Sequence, residues 1–417
     1  MRENALEDLN LRLHTLAVFR ELLSDPVLEK LCRYLDAAEA GGTRGEAVSR
    51  YGEFVSALYA AGTVSLARHI QSIVNDNENA YIRMIGRGET PWAEMEDAVY
   101  AELNILQETA DLSPETLRCG VSWTGYLPGF RTEHVDIPGN YRLRCRNISK
   151  YGYGIYARHR MFYINSANKI VPVHNPDRTA LSSLVDYKRE QKIILDNTIA
   201  LLEGRPAANI LLTGDAGTGK SSTVKAVVNE LSGRGLRILE VRKEQLHEIP
   251  GVLDELNSNP LKFILFIDDL SFQRDDDNFS TLKAILEGSV SAKSRNVVIY
   301  ATSNRRHLVK ESFSDRDGDD VHRNDTMQEI ISLSERFGIQ ITFQKPDKQT
   351  YLDIVRHLAQ ERGIRRDPEE LAMLAERFVL GRGGRSARAA AQFVDSLVSA
   401  EGQQNTQKTE SAPQMHP

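Results

Sequence analysis

Apolar residues change their rhythm twice along this chain. Over residues 1–115 they recur at helical spacing. Leu9, Leu13, Leu16, Phe19, Leu22 and Leu23 form one run; Leu28, Leu31, Cys32 and Leu35 form the next, after a start signal at Ser24-Asp25-Pro26. Gly41-Gly42 interrupts, and further helices are predicted over 46–73 and 92–106. This helical N-terminal region reads as a bundle for packing or docking, with no catalytic constellation. Over 116–178 the helical spacing fades while Gly, Pro, Tyr and Arg rise, and 141–146 and 160–164 predict short strands in a β-rich connector. From residue 179 the pattern changes again. A helix predicted over 186–202 leads into apolar runs at 209–212, 236–241, 263–267, 297–302 and 340–343, with helical stretches between them. Five strands joined by helical crossovers predict a parallel five-stranded sheet in a three-layer α/β core over 179–346. Residues 347–400 are helical again, at 351–361, 368–379 and 386–400. The last 17 residues, 401–417, hold no Leu, Ile, Val or aromatic, and a loose tail is expected there.

Composition narrows the class. The 417 residues are 41% hydrophobic and 26% charged, ordinary for a water-soluble protein of several domains. Three cysteines, Cys32, Cys119 and Cys145, form no CxxC pair, which argues against a disulfide scaffold or a cysteine zinc site and fits a reducing compartment. The N-terminus carries acidic residues and no apolar signal core, and no stretch reaches the roughly 18 apolar residues of a membrane span. A cytoplasmic protein with no membrane partner is the expectation. Net charge is −6, which excludes a uniformly basic nucleic-acid coat. It conceals a local +7 over 118–169, from nine Lys/Arg against two Asp/Glu. On a strand, Arg142, Arg144 and Arg146 would share one face, with Tyr141, Tyr151, Tyr153 and Tyr156 interleaved. Such a face suits phosphates and stacked bases; equally, it is a solvated or docked strand face.

The sharpest chemistry lies at 214–221. Gly214-Asp215-Ala216-Gly217-Thr218-Gly219-Lys220-Ser221 matches G-x-x-x-x-G-K-[ST], follows the strand NILLT and opens a helix beginning with Ser221 and Ser222. The glycines let successive N–H groups wrap phosphate oxygens, and the helix N-terminus adds positive charge. Lys220 would reach the β- and γ-phosphates and Ser221 would give Mg²⁺ a hydroxyl. A second signal falls 48 residues after Lys220, where the apolar strand FILFI ends in Asp268-Asp269. Acids there sit at the sheet edge where ligands bind. Asp268 would hold a Mg²⁺-bound water and Asp269 would polarise the attacking water. The bland reading, a strand followed by an acidic turn, loses ground because two aligned signals occur together.

With VVIYATSN at 297–304, these motifs resemble the AAA+ ATPases, over about half of the chain. NILLTGDAGTGKSSTVKA, FILFIDDLSF, VIYATSNRRHL and SLSERFG are similar to a bacterial family of predicted AAA+ ATPases known mainly as a domain of unknown function; a more distant likeness is to replication initiators and helicase loaders. The resemblance implies a P-loop core with a C-terminal helical lid over 347–400, with ATP and Mg²⁺ as ligands. Asn304 falls at sensor 1, which touches the γ-phosphate or attacking water; otherwise it is a strand-end Asn capping a turn. Arg336 matches the arginine finger that reaches a neighbouring subunit's nucleotide, with an intrachain salt bridge as the alternative. Arg385 resembles sensor 2, with Arg388 on nearly the same helix face as its rival. Most AAA+ proteins carry Glu where this chain has Asp269, one methylene shorter. Slow hydrolysis and an ATP-state switch are therefore both open. The acidic segment 312–325 reads as a mobile surface loop.

Two functions from different classes follow. One is an ATP-hydrolysing homo-oligomer that remodels or loads a macromolecular partner. The other is an ATP-gated binding module with negligible turnover. A protein partner is favoured, because the chain is acidic overall and shows no known nucleic-acid motif. The 118–169 segment keeps nucleic acid open.

Overall fold

The computed structural model describes residues 2–39, 43–119, 121, 123–270, 277–287, 295–304, 335–381 and 384–410. They fall into two units: Met1–His159 with Ser258–Leu261, and Arg160–Asn257 with Lys262–Pro417. The acidic segment expected at 312–325 lies outside the described residues. So do residues 411–417 of the expected tail.

The first unit is helical, and its helix starts follow from capping side chains. After α1 (Arg2–His14), Asp25 accepts the N–H groups of Val27 and Leu28 at 3.0 and 3.2 Å as α2 (Pro26–Glu39) begins. Thr43, Ser65 and Asn79 cap α3 (Arg44–Ala60), α4 (Leu66–Asp76) and α5 (Ala80–Arg87) in the same way. With α6 (Ala93–Ala110) these helices enclose a core that includes Leu13, Phe19, Leu28, Tyr34, Tyr51, Phe54 and Leu106. The apolar spacing up to Leu23 is not one helix. Past His14 the chain turns where the buried carboxylate of Glu102 accepts the N–H groups of Ala17, Val18 and Phe19 at 2.8, 3.1 and 2.9 Å. The helix expected over 46–73 is two, α3 and α4, parted at Gly62, whose φ of 77° is left-handed.

The expected β-rich connector is corrected most. Among the described residues, 114–158 form short helices: α7 (Pro114–Arg118), α8 (Ile137–Arg146), α9 (Ile148–Tyr151) and α10 (Ile155–Arg158). Residues 141–146, predicted as a strand, end α8. Asp136 caps that helix through Gly139 N at 2.8 Å, a proline occupies its first turn, and the Tyr141 ring packs edge-on to Phe19. A helix turns about 100° per residue, so Arg142 and Arg146 share one face of α8 while Arg144 falls on the other. Arg144 lies 4.8 Å over the Tyr151 ring and donates to Asn75 O at 3.3 Å, while Arg142 and Arg146 are exposed.

The strand predicted over 160–164 does form, as β1 (Met161–Ile164), and with β2 (Ile170–Pro172) it belongs to the second unit. After α11 (Lys188–Leu202) come the five anticipated strands: β3 (Ile210–Gly214), β4 (Leu236–Val241), β5 (Lys262–Ile267), β6 (Val297–Ser303) and β7 (Ile339–Phe343). Helices α12 (Lys220–Leu231), α13 (Ile249–Asn257) and α14 (Asp277–Glu287) fall between them. The sheet has seven strands in the order β2-β1-β4-β5-β6-β3-β7, parallel except for the β1–β2 pair. Strands β3 and β6 are buried along their whole length, as a sheet covered on both faces requires. On one face Ile210, Leu212, Phe266, Val298 and Tyr300 pack with Ile194 of α11 and Val224 and Val227 of α12. A second core, including Tyr351, Val355, Leu371, Ala375, Phe393 and Val394, joins α15 (Lys348–Glu361), α16 (Pro368–Leu380) and α17 (Ala387–Glu410). Because α17 runs to Glu410, the first ten residues of the expected loose tail continue a helix; they contain one helix-weakening Gly402 and no proline.

The Tyr300 hydroxyl is fully buried and bonds the Thr198 hydroxyl at 2.8 Å and the Asn197 amide at 3.0 Å, tying β6 to α11. Burial pushes its pKa up to about 12. Tyr300→Phe leaves both partners short of a bond and should cost roughly 1–3 kcal/mol, read as a lower denaturant midpoint with unchanged slope.

Candidate phosphate-binding site

The order β5-β6-β3 brings three strand ends to one edge of the sheet, and with them Asp268, Asn304 and the loop after Gly214. The loop's shape is set by glycine. Gly214, Gly217 and Gly219 have φ values of 136°, 80° and 94°. At Gly214 a Cβ would stand 2.1 Å from the backbone oxygen of Phe343. At Gly217 it would stand 3.1 Å from the Cβ of Arg388. Thr218 closes the loop by donating to Asp215 O at 2.9 Å, and the Asp215 carboxylate faces Lys345 at 3.8 Å.

Lys220, the first residue of α12, is 5% exposed. Its ammonium donates to Gly214 O at 2.8 Å, Asp215 O at 2.9 Å and Asn304 Oδ1 at 3.0 Å. Burial lowers its pKa, and Asp268, Asp269 and Asp215 oppose that shift. Asn304 uses its other end as well: its Nδ2 donates to Asp269 Oδ1 at 2.6 Å. Ser221 Oγ donates to Asp268 Oδ1 at 2.6 Å. These bonds link Lys220, Asn304 and Asp269 on one side and Ser221 and Asp268 on the other, and Thr302, which bonds Asp268 Oδ1 and the Asp269 N–H, connects the two. Asp269 has a left-handed φ of 55°, a conformation that Asp tolerates better than most side chains.

The network opens into a cleft of about 710 Å³ lined by loop residues 216–223, Asp268, Asp269 and Asn304. Its far end was not legible in the sequence. Leu184, Val185 and Tyr187 line it from before α11, and Ile354 and Leu358 line it from α15. Gln191, itself buried, pins the 184–187 turn by donating to Leu184 O at 3.0 Å and Asp186 O at 2.6 Å. Tyr187 has a left-handed φ of 65°; its ring packs on Phe343 and its hydroxyl donates to Gln344 O. No short motif marks such an apolar end, because its residues come from segments about 170 positions apart.

The arginines separate. Arg388 lines the cleft, and its backbone N–H donates to Gly217 O at 3.2 Å. Arg385 does not line it: its guanidinium forks onto Glu376 at 2.9 and 2.7 Å, joining the residues before α17 to α16. That charge-assisted fork raises the Arg385 pKa and lowers that of Glu376. Arg336 does not line the cleft either. It is half exposed and pairs with Glu287 at 3.1 Å within the chain.

Comparison with known proteins places the chain as follows. A family model described as "Protein of unknown function (DUF815)" matches residues 157–401. No curated protein matches. Among solved structures, the chain is similar to the Thermotoga maritima RuvB Holliday junction branch migration motor, at 16% identity and a TM-score of 0.34, over 52% of this chain and 64% of that one. It is also similar to C. elegans PCH-2, at 18% identity and a TM-score of 0.36, over 51% of this chain and 63% of that one. The chain thus spans just under two thirds of either protein.

Gly214 has no room for a side chain and a φ that L-residues avoid. Gly214→Ala should lower stability by roughly 2–4 kcal/mol, measured by chemical denaturation. Gly233→Ala, where a Cβ meets nothing within 4 Å, is the control.

Proposed function

The chain belongs to the DUF815 family of proteins of unknown function, and we propose that its matched part binds ATP with Mg²⁺ and hydrolyses it slowly, as an AAA+ ATPase. The observation that carries this reading is the convergence of the glycine loop, Lys220, Ser221, Asp268, Asp269 and Asn304 on one cleft with an apolar far end. The loop N–H groups and the start of α12 suit the phosphates. Lys220 would exchange its bonds to Gly214 O and Asp215 O for phosphate oxygens. The apolar end, between the 184–187 turn and α15, suits the base. Ser221 Oγ is a hard oxygen donor for Mg²⁺, and the Asp268 carboxylate, 2.6 Å from it, would hold a Mg²⁺-bound water, a set that fits the ion. Bound there, the ion would neutralise charge on the β- and γ-phosphates. Asp269 is the acceptor for a proton of the attacking water, and Asn304 holds its carboxylate. We assign the sensor 2 role to Arg388, because it reaches the cleft whereas Arg385 is engaged by Glu376.

Arg336 is half exposed and, among the described residues, pairs with Glu287 at the surface, a weak hold that it could exchange for a second copy's nucleotide. This supports a homo-oligomer in which nucleotide state is coupled to assembly and to remodelling or loading of a partner. A protein partner is favoured, since the chain is acidic overall and Arg144, one of the three arginines that suggested nucleic acid, is turned onto the Tyr151 ring. No described helix is long and apolar enough to cross a membrane. The three cysteines are free, and a reducing, cytoplasmic setting suits them. A second reading, an ATP-gated switch with negligible turnover, is favoured by one observation: the short Asp269 carboxylate is already bonded to Asn304.

Phosphate release from ATP with Mg²⁺ tests the proposal. Lys220→Ala should abolish it together with nucleotide binding, and Arg336→Ala should abolish release while binding persists. Undiminished release from Lys220→Ala would sink the assignment. Tight binding by the wild type with no release at any protein concentration would select the switch. In a fluorescent-nucleotide titration, Arg388→Ala should weaken ATP about tenfold, a loss of roughly 1.4 kcal/mol, and Arg385→Ala should change affinity less than threefold.

A further inference from the structure

Thr302 lies inside the 297–304 run, and both strand-end acids, Asp268 and Asp269, lean on it. It sits on β6 between β5 and β3, pairs with Leu212, and is 2% exposed. Strand alternation puts Tyr300, Thr302 and Asn304 on one face, the face that α11 and α12 cover. The Thr302 hydroxyl donates to Asp268 Oδ1 at 2.6 Å and accepts the Asp269 N–H at 2.9 Å. Its carbonyl accepts the Leu270 N–H at 2.7 Å. A hydroxyl has one proton, and ionised carboxylates only accept, so the direction of both bonds is fixed by chemistry. Asp268 Oδ1 thus receives two hydroxyls, Ser221 and Thr302, which turns its second oxygen away from them. Asp269 would not hold a left-handed φ unaided, and the bonds at its own N–H and at Leu270 fasten the turn on both sides.

We propose that Thr302 is the positioning residue of this site: one buried hydroxyl aims the metal-side carboxylate, Asp268, and the water-side carboxylate, Asp269, together. This rests on the ATP and Mg²⁺ reading above and deepens it. Valine has the shape of threonine without the hydroxyl. In Thr302→Val the Asp268 carboxylate loses a donor and the Asp269 N–H loses its acceptor, while the packing of β6 is kept. Thr302→Ser keeps the hydroxyl and loses a methyl.

The test measures the Mg²⁺ concentration that half-saturates fluorescent-ATP binding, alongside phosphate release at saturating ATP and Mg²⁺ and the melting midpoint. Thr302→Val should raise the Mg²⁺ midpoint at least fivefold and lower turnover 10–100-fold, with metal-free nucleotide affinity within threefold of wild type. Thr302→Ser should restore both values to within threefold. A merely structural role would lower the melting midpoint in both variants and leave the Mg²⁺ midpoint where it was. An unchanged Mg²⁺ midpoint in Thr302→Val overturns the proposal. So does a Thr302→Ser variant as impaired as Thr302→Val. A wild type that binds Mg²⁺ and ATP without releasing phosphate removes the hydrolytic reading instead, and the Mg²⁺ midpoint still decides the role of Thr302.

Discussion

Lys220 is only 5% exposed, so its ammonium needs oxygen partners within the protein, and this requirement ties its loop to the neighbouring strand end. Two of its acceptors are carbonyls of its own loop, and the third is the side chain of Asn304 on another strand. The loop can fold back this far only because Gly214 passes against Phe343 with no side chain between them. Asn304 can reach only because β6 lies between β5 and β3. The bond from Asn304 to Asp269 then carries the same network to the acidic strand end. Loop, sheet order and acidic pair are consequences of one another, and a fault in any of them would strand a buried charge.

The C-terminal helices α15–α17 meet the loop through a backbone bond. Arg388 N–H meets Gly217 O, and the two residues approach so closely that Gly217 has little room to be anything else. Val185, from the turn before α11, packs into the apolar core of α15–α17. The far end of the cleft is therefore built from both the 184–187 turn and α15, so a molecule filling it would contact both.

Much of the second unit was legible in advance, for a physical reason. Strands buried on both faces must be apolar almost throughout, so all five core strands stand out as runs, and the glycine loop and paired aspartates are short, contiguous motifs. The first unit was less legible. Helical spacing continued past His14, where a distant Glu102 ends the helix, and it ran across Gly62, where the chain turns. Residues 141–146 alternate like a strand but have a capped, proline-started helix as their context, and the Tyr141 ring draws that helix onto Phe19. Alternation over six residues is a weak signal once a cap and a buried aromatic oppose it.

By itself, the sequence determined the glycine loop, the residues that flank it and the kind of core that carries them. Loop glycines, a lysine, a serine and strand-end acids are local, and their spacing along the chain already implies a strand-loop-helix unit. Tertiary structure alone decided which of two arginines reaches the cleft, since they lie three residues apart and only the Glu376 carboxylate on another helix separates them. It decided where the apolar end of the cleft forms, from segments far apart in the chain. It also gave Thr302 its place, since a threonine in a buried strand looks like packing until the neighbouring strand sets two carboxylates around its hydroxyl.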